Sequence, residues 1–218
     1  MPFPTNSYDY FVFDCDGVIL DSNTVKSEAF YKTTECFGDS LARRFVEYHQ
    51  QHGGISRNEK FRHFIEEMLG KDLAENGPLL EQLLEDYGSI CQRDLLECAL
   101  IPGVETFLQT LPANKPAFVI TGGNQQEVRK TFELRQLDSH FKAILGSPTS
   151  KHDNMASLQA SGEFKGKGVY FGDARLDMEL AGIFGQDFVF ISGVSDWPGG
   201  LTLQHSLTVP DFTELLAG

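Results

Sequence analysis

Short apolar runs, each stopping abruptly at polar residues, restrict the fold of this chain more than any other feature. Tyr8–Asp14 (YDYFVFD) is aromatic and β-branched and ends in DCDG. Similar runs recur at Pro116–Thr121, Phe141–Gly146, Gly168–Phe171 and Asp187–Ile191, with a shorter sixth at Leu207–Val209. Runs of this kind read as strands buried on both faces. Helix-like stretches separate them at Val104–Leu111, Gln125–Leu134, Asp153–Ala160 and Arg175–Phe184. Strands alternating with helices predict an α/β fold, a parallel sheet with helices on both faces.

The alternation is missing between Ser22 and Leu100, which reads as helix throughout. Ser56 and Glu59 have the spacing of a capping box, just before an apolar stripe at Phe61, Phe64, Ile65, Met68 and Leu69. A second stripe at helical spacing runs from Leu80 through Leu83, Leu84, Tyr87, Cys91 and Leu95 to Cys98. An all-helical block after the first strand is best read as an inserted cap domain. The expected division is an α/β core at residues 1–21 and 101–218 and a helical cap at 22–100, with hinges at Asp21–Ser22 and Ile101–Pro102–Gly103. The length of 218 residues, about one and a half domains at roughly 150 residues each, agrees with it.

Composition narrows the partners. Eighteen basic against 31 acidic residues leave a net charge of −13. Contacts to nucleic acid or an anionic membrane need clustered Lys and Arg, so neither partner is expected. No apolar run approaches the roughly 20 residues that span a bilayer. The segment MPFPTNSYDY lacks the basic and apolar regions of a signal peptide. Cys15, Cys36, Cys91 and Cys98 show neither CxxC nor dense spacing, so no disulfide scaffold or zinc site is expected, and a reducing cytoplasm is the expected location.

In an open parallel sheet, ligands bind beyond the carboxyl ends of the strands. The first strand ends in Asp14-Cys15-Asp16-Gly17, the second in Thr121-Gly122-Gly123-Asn124 and the fourth in Gly172-Asp173-Ala174-Arg175-Leu176-Asp177. Ser147 to Lys151 follow the third. Acids, a hydroxyl, a lysine and glycine-rich turns therefore converge on one edge.

In this order the residues resemble the haloacid dehalogenase (HAD) superfamily, whose phosphatases carry DxDG[TV], a strand-ending Ser/Thr, a Lys and GDxxxD. The resemblance covers essentially the whole chain, helical insert included, and lies nearest the branch of phosphoglycolate phosphatases and β-phosphoglucomutase. It implies a Rossmann-like core and a phosphomonoester hydrolase acting on a small phosphorylated metabolite. Asp14 would be the nucleophile, forming an aspartyl-phosphate. Asp16 would protonate the leaving alkoxide and then deprotonate the attacking water, and its closeness to Asp14 is expected to help keep it protonated. Asp14, Asp173 and the backbone carbonyl of Asp16 would hold Mg²⁺. Asp177, one helical turn after Asp173, would orient a metal-bound water. Thr121 and Gly122 would bind the phosphoryl group, with Asn124 and Glu127 capping the helix that starts there. Lys151 would offset phosphate and Asp14 charge. Lys142, Lys165 and Lys167 begin or precede strands and belong to the opposite edge.

The insert should choose the rest of the substrate. His52 to Arg57 (HGGISR) forms a turn leading into the capped helix, and a G[IV]SR stretch there resembles the sugar-phosphate mutases. From Arg43 to Arg62 five basic residues face two acidic ones, against the acidic average. Arg57, with Lys60, is expected to face the cleft and meet an anionic or hydroxylated substrate. His49 and His52 read as surface or packed histidines, and Trp197 as a loop anchor. A β-phosphoglucomutase-like phosphomutase is the alternative activity, and an inactive binding or regulatory member of the fold is the alternative of another class.

Overall fold

The central apolar runs become strands because both of their faces find an apolar partner. The computed structural model describes residues 2–202 and 207–217. Its strands are β1 Tyr10–Phe13, β2 Ala117–Asn124, β3 Ala143–Ser147, β4 Gly168–Gly172, β5 Asp187–Ile191 and β6 Leu207–Val209. They form one sheet in the order β3-β2-β1-β4-β5-β6, every neighbouring pair parallel. The strand order reverses at β1, which lies between β2 and β4. That is the point where a crevice opens beyond the strand ends.

The period of two along each strand separates two cores. Phe11 and Phe13, Ala117 and Val119, Val169 and Phe171 join one core with α5 (Val104–Thr110), α6 (Gln125–Leu134) and α9 (Thr213–Leu216). Tyr10 and Val12, Phe118 and Ile120, and Tyr170 join the other with α7 (Lys151–Ala160) and α8 (Arg175–Ile183). Burying a phenylalanine contributes about 1.5–3 kcal/mol.

Between β1 and β2 the chain forms α1 Asn23–Thr34, α2 Asp39–Gln51, α3 Arg57–His63 and α4 Gly77–Glu97. A wider π-turn at Phe64–Met68 continues α3. Phe30, Phe45, Phe61, Phe64 and Tyr87 pack at the centre of this segment, with the Phe30 and Tyr87 rings 4.3 Å apart. The outgoing and returning chains run side by side: Asp21 N–H donates to the Ala99 carbonyl (2.9 Å) and Ile101 N–H to that of Ile19 (3.0 Å).

Local capping sets the helix starts near the sheet edge. The side chain of Asn124 accepts from the amides of Gln126 and Glu127, and that of Ser150 from Asp153. The Ser150 cap starts α7 at Lys151, two residues before the apolar pattern predicts, so Lys151 sits on a helix rather than in a loop.

Candidate active site

Asp14 follows β1, with its amide hydrogen-bonded to the Phe171 carbonyl of β4 (2.9 Å). Its carboxylate is 4% exposed at the residue level. Oδ1 accepts from the Cys15 amide (2.7 Å) and lies 2.8 Å from Lys151 Nζ. Among the described residues Oδ2 has no hydrogen-bond partner. Burial pushes the Asp14 pKa up to about 7, against the pull of Lys151.

Lys151 also reaches Asp177 Oδ1 at 2.7 Å. Burial alone would lower the pKa of this lysine, but Asp14 and Asp177 together raise it well above its ordinary value. Asp177 is fully buried: Oδ1 accepts from Tyr170 Oη (2.9 Å) and Oδ2 from the Ala174 amide (3.1 Å). Three donors therefore hold Asp177, and its side chain anchors Lys151.

Asp173 follows β4, directly beside the end of β1. Its Oδ2 accepts from Asn23 Nδ2 (2.8 Å), and its backbone carbonyl from Ser195 Oγ (2.5 Å). Burial, then the charges of Asp14 and Asp177, raise its pKa well above the usual carboxylate range. One carboxylate oxygen each from Asp14, Asp173 and Asp177 lie within 4.8 Å of one another. Only oxygen donors converge here, and two of the three acids are held where their charge is costly. This donor set fits a hard divalent cation, with Asp14 and Asp173 the carboxylates left free to bind it. Gly17, at φ +71°, closes the other side, and a Cβ there would overlap the Asp173 carboxylate.

The Asp16 side chain is not part of this cluster. It is ion-paired with Lys26 and accepts from Ser22 Oγ (2.6 Å). Burial opposes its charge, but Lys26 and these hydrogen bonds win, and its pKa lies below the ordinary value. The expectation that Asp14 keeps Asp16 protonated fails for this reason: a cation one helical turn into α1 outweighs the neighbouring carboxylate.

Thr121 is fully buried; its hydroxyl oxygen accepts from the Gly123 amide (2.9 Å), and its own O–H remains to donate. Gly122 lies against the Gly54 carbonyl, where a Cβ would overlap that oxygen. The glycine turn of the helical segment thus closes directly onto the end of β2. Lys142 and Lys167 pair with Glu163 and Asp187, and Asp187 opens β5 at the opposite edge of the sheet.

A cleft with about 940 Å³ of open space runs between sheet edge and helical segment. Asp14, Asp16, Gly122 and Asp173 line it, as do Arg57 and Lys60, but Thr121, Lys151 and Asp177 do not. Arg57 makes a two-pronged pair with Glu127 of α6, at 2.6 and 2.9 Å, and its guanidinium lies 5.4 Å from the Tyr87 ring centroid. Lys60 is buried against His49. His49 packs against Phe30 with ring centroids 4.5 Å apart, and Trp197 packs edge-on against Phe190 at 5.6 Å, as a packed histidine and a loop anchor do; both also line the cleft. His52 stacks on Tyr48, as a packed histidine does.

Sequence reasoning missed Ser22, Asn23, Lys26 and Tyr170. Ser22 and Lys26 are four apart at the start of α1, a spacing that puts both on one helix face beside the DCDG turn. Tyr170 carries no such sign, because its partner Asp177 is reached only once α8 has packed.

The chain matches the family described as haloacid dehalogenase-like hydrolase over residues 11–191. A search of the curated proteins found no match. Solved structures with the same fold include a haloacid dehalogenase-like family hydrolase from Streptococcus pneumoniae, at 20% identity and TM-score 0.71, covering 97% of this chain and 98% of that one. A predicted phosphoglycolate phosphatase from Haemophilus somnus is 17% identical at TM-score 0.73, with 96% and 97% covered. A β-phosphoglucomutase from Clostridium difficile is 18% identical at TM-score 0.73, with 95% and 93% covered.

Proposed function

The chain belongs to the haloacid dehalogenase-like hydrolase family, and from that premise we propose that it is a Mg²⁺-dependent phosphatase of small phosphorylated metabolites. The observation that carries this reading is the Asp14 carboxylate, buried at a strand end with Oδ1 held by Lys151 and the Cys15 amide and Oδ2 left free. A carboxylate in that state is oriented for attack by one oxygen.

Asp14 Oδ2 attacks phosphorus, and the bond from phosphorus to the leaving oxygen breaks. Asp16, exchanging Lys26 for the leaving oxygen and in its acid form, supplies the proton. As a carboxylate it then takes a proton from water, whose oxygen attacks the aspartyl-phosphate and frees Asp14 and inorganic phosphate. Asp14, Asp173 and the Asp16 carbonyl would hold Mg²⁺, which supplies charge neutralisation for the phosphoryl group. The Thr121 hydroxyl, the Gly122 amide and Lys151 bind the phosphoryl oxygens, and Asp177 holds Lys151 in place. Residues 22–100 act as a cap over the core (1–21 and 101–218), with Arg57 and Lys60 reading the rest of the substrate. Four free thiols suit a reducing, cytoplasmic setting.

Phosphate release from sugar phosphates, nucleotides and phosphoglycolate with Mg²⁺, with Asp14→Asn as the blank, tests this reading. Release that depends on Asp14 supports it, and its absence across the set refutes it. A phosphomutase is the second reading, favoured by Arg57 of the Gly-Ile-Ser-Arg turn lining the cleft. Conversion of a sugar phosphate to its isomer when a sugar bisphosphate is added would support the mutase.

A further inference from the structure

The three cations that the helical segment brings to the cleft differ in one respect. Lys26 is paired with Asp16, and Arg57 with Glu127. Lys60, on α3, is 3% exposed, yet among the described residues no carboxylate lies within ion-pair distance of it. Its Nζ meets His49 Nδ1 at 2.7 Å and the His49 carbonyl at 3.4 Å, and lies 5.6 Å from the Phe30 ring centroid. A lysine ammonium has three N–H donors, so one is unspent here. Buried charges are ordinarily paired, because desolvation of a lone ion is costly. His49 accepts from this ammonium only as the neutral imidazole. Burial, then Lys60 and Lys26, hold its pKa well below the ordinary value, consistent with that role.

We propose that Lys60, oriented by His49, is a specificity site for a second anionic group on the substrate, so that the preferred ester has a leaving alcohol ending in a carboxylate or another phosphate. The assignment rests on the phosphatase reading above. Asp14 on the sheet edge and Lys60 on the helical segment line one cleft, so a ligand spanning it carries an anion at each end. The distal anion would take the third N–H and serve as the counter-ion that the protein itself does not provide.

The free site has a measurable acid–base signature. Burial, reinforced by Lys26, pushes the Lys60 pKa down to about 7. The charged and titratable groups facing it are Lys26 from α1, His49 from α2, Asp16 after β1, Lys151 from α7, Asp173 after β4 and Asp196 after β5. A bound anion raises that pKa, so preference for the charged end is strongest while Lys60 is protonated and fades as pH rises above about 7.

Three esters on the same two-carbon chain test this: 2-phosphoglycolate, ethylene glycol bisphosphate and 2-hydroxyethyl phosphate. The native protein should favour one charged-ended ester over the neutral-ended one by about tenfold or more in kcat/KM. Which one it favours tells a carboxylate from a phosphate terminus. Lys60→Met should bring the ratio close to one, and Lys60→Arg should retain most of it. In the native protein the ratio should fall between about pH 6 and about pH 9, with the neutral-ended ester controlling for titration at Asp14. This second measurement needs no variant to fold. Equal kcat/KM for charged and neutral ends, or a preference that survives Lys60→Met and does not change with pH, overturns the assignment. If p-nitrophenyl phosphate is hydrolysed without any preference among the three, this inference fails and the phosphatase reading stands. If no ester is hydrolysed, that reading fails, and calorimetric titration of the same three compounds into the native protein still decides whether Lys60 selects a charged end.

Discussion

Lys151 Nζ lies 2.8 Å from Asp14 Oδ1, and the two side chains are only 1% and 5% exposed. The ion pair is out of water, so each charge depends on the other. Asp177 completes the arrangement from the far side at 2.7 Å. One cation thus stands between the two buried acids, and it orients the carboxylate that the proposed mechanism uses.

Replacing that cation should be costly for stability as well as activity. Lys151→Met leaves Asp14 and Asp177 without their shared partner, and breaking a buried pair in this way costs about 3–5 kcal/mol. A domain of this size loses about 2–4 °C of Tm per kcal/mol. Thermal unfolding of the variant should therefore show a large drop in Tm, with phosphate release lost at temperatures where it remains folded. A variant as stable as the native protein would refute the role given to the pair.

Metal and pH should act on stability together. Asp14 and Asp173 carry pKa values raised in the folded chain, so folding favours their neutral forms. Their contribution is fully present below the unfolded value of about 3.9 and is lost as pH rises, for Asp14 through about 7. The Tm of metal-free protein should fall between about pH 5 and about pH 8 from this source. Mg²⁺ should reverse much of the fall, because a bound cation stabilises the ionised acids. Fluorescence-detected melting across that range, with EDTA or with Mg²⁺, measures both effects.

Arg57 and Glu127 join the helical segment to α6 through two charge-assisted hydrogen bonds, with side chains 15% and 29% exposed. Such bonds contribute about 1.5–3 kcal/mol when little exposed. A double-mutant cycle of Arg57→Ala and Glu127→Ala in urea should return a coupling energy of about 1 kcal/mol or more. Arg57→Ala should also raise KM, since the guanidinium lines the cleft. Strict additivity of the two substitutions would show that the pair does not hold segment and core together.

Lys26 should set the working range of Asp16. Its ammonium and hydrogen bond, with the Ser22 hydroxyl, overcome burial and keep Asp16 below the ordinary carboxylate pKa. Lys26→Met removes the largest of these lowering influences, so the Asp16 pKa should rise. The limb of the kcat/KM profile that Asp16 sets, where the acid form needed for the first step is lost, should move to higher pH by about one unit or more. An unmoved limb would dissociate Asp16 from proton transfer.

Much of the fold was legible because its signals are local. A buried parallel strand must be apolar on both faces, so β1, β2, β4 and β5 stand out as short apolar runs, and the carboxyl ends of three of them bring Asp14, Gly122 and Asp173 to one edge. Capping is equally local: Asn124 and Ser56 start α6 and α3 through hydrogen bonds spanning two or three residues. The helical character of residues 22–100 was likewise visible, in the two apolar stripes that fall on α3 with its π-turn and on α4.

Charge pairing was not legible, because it depends on which side chains the packed elements bring within reach. Asn23 and Asp173 are 150 residues apart in sequence, yet they share a hydrogen bond. The protonation expected for Asp16 followed from its neighbour Asp14, whereas Lys26 on the first turns of α1 decides it. Lys60 and His49 belong to different helices, and no spacing rule shows that they meet without a carboxylate between them. Sequence alone determined which residues end the strands, since backbone periodicity and burial act over a few positions. Tertiary structure alone decided which of those charges are neutralised and which are left for a ligand, since desolvation and Coulomb forces act through space.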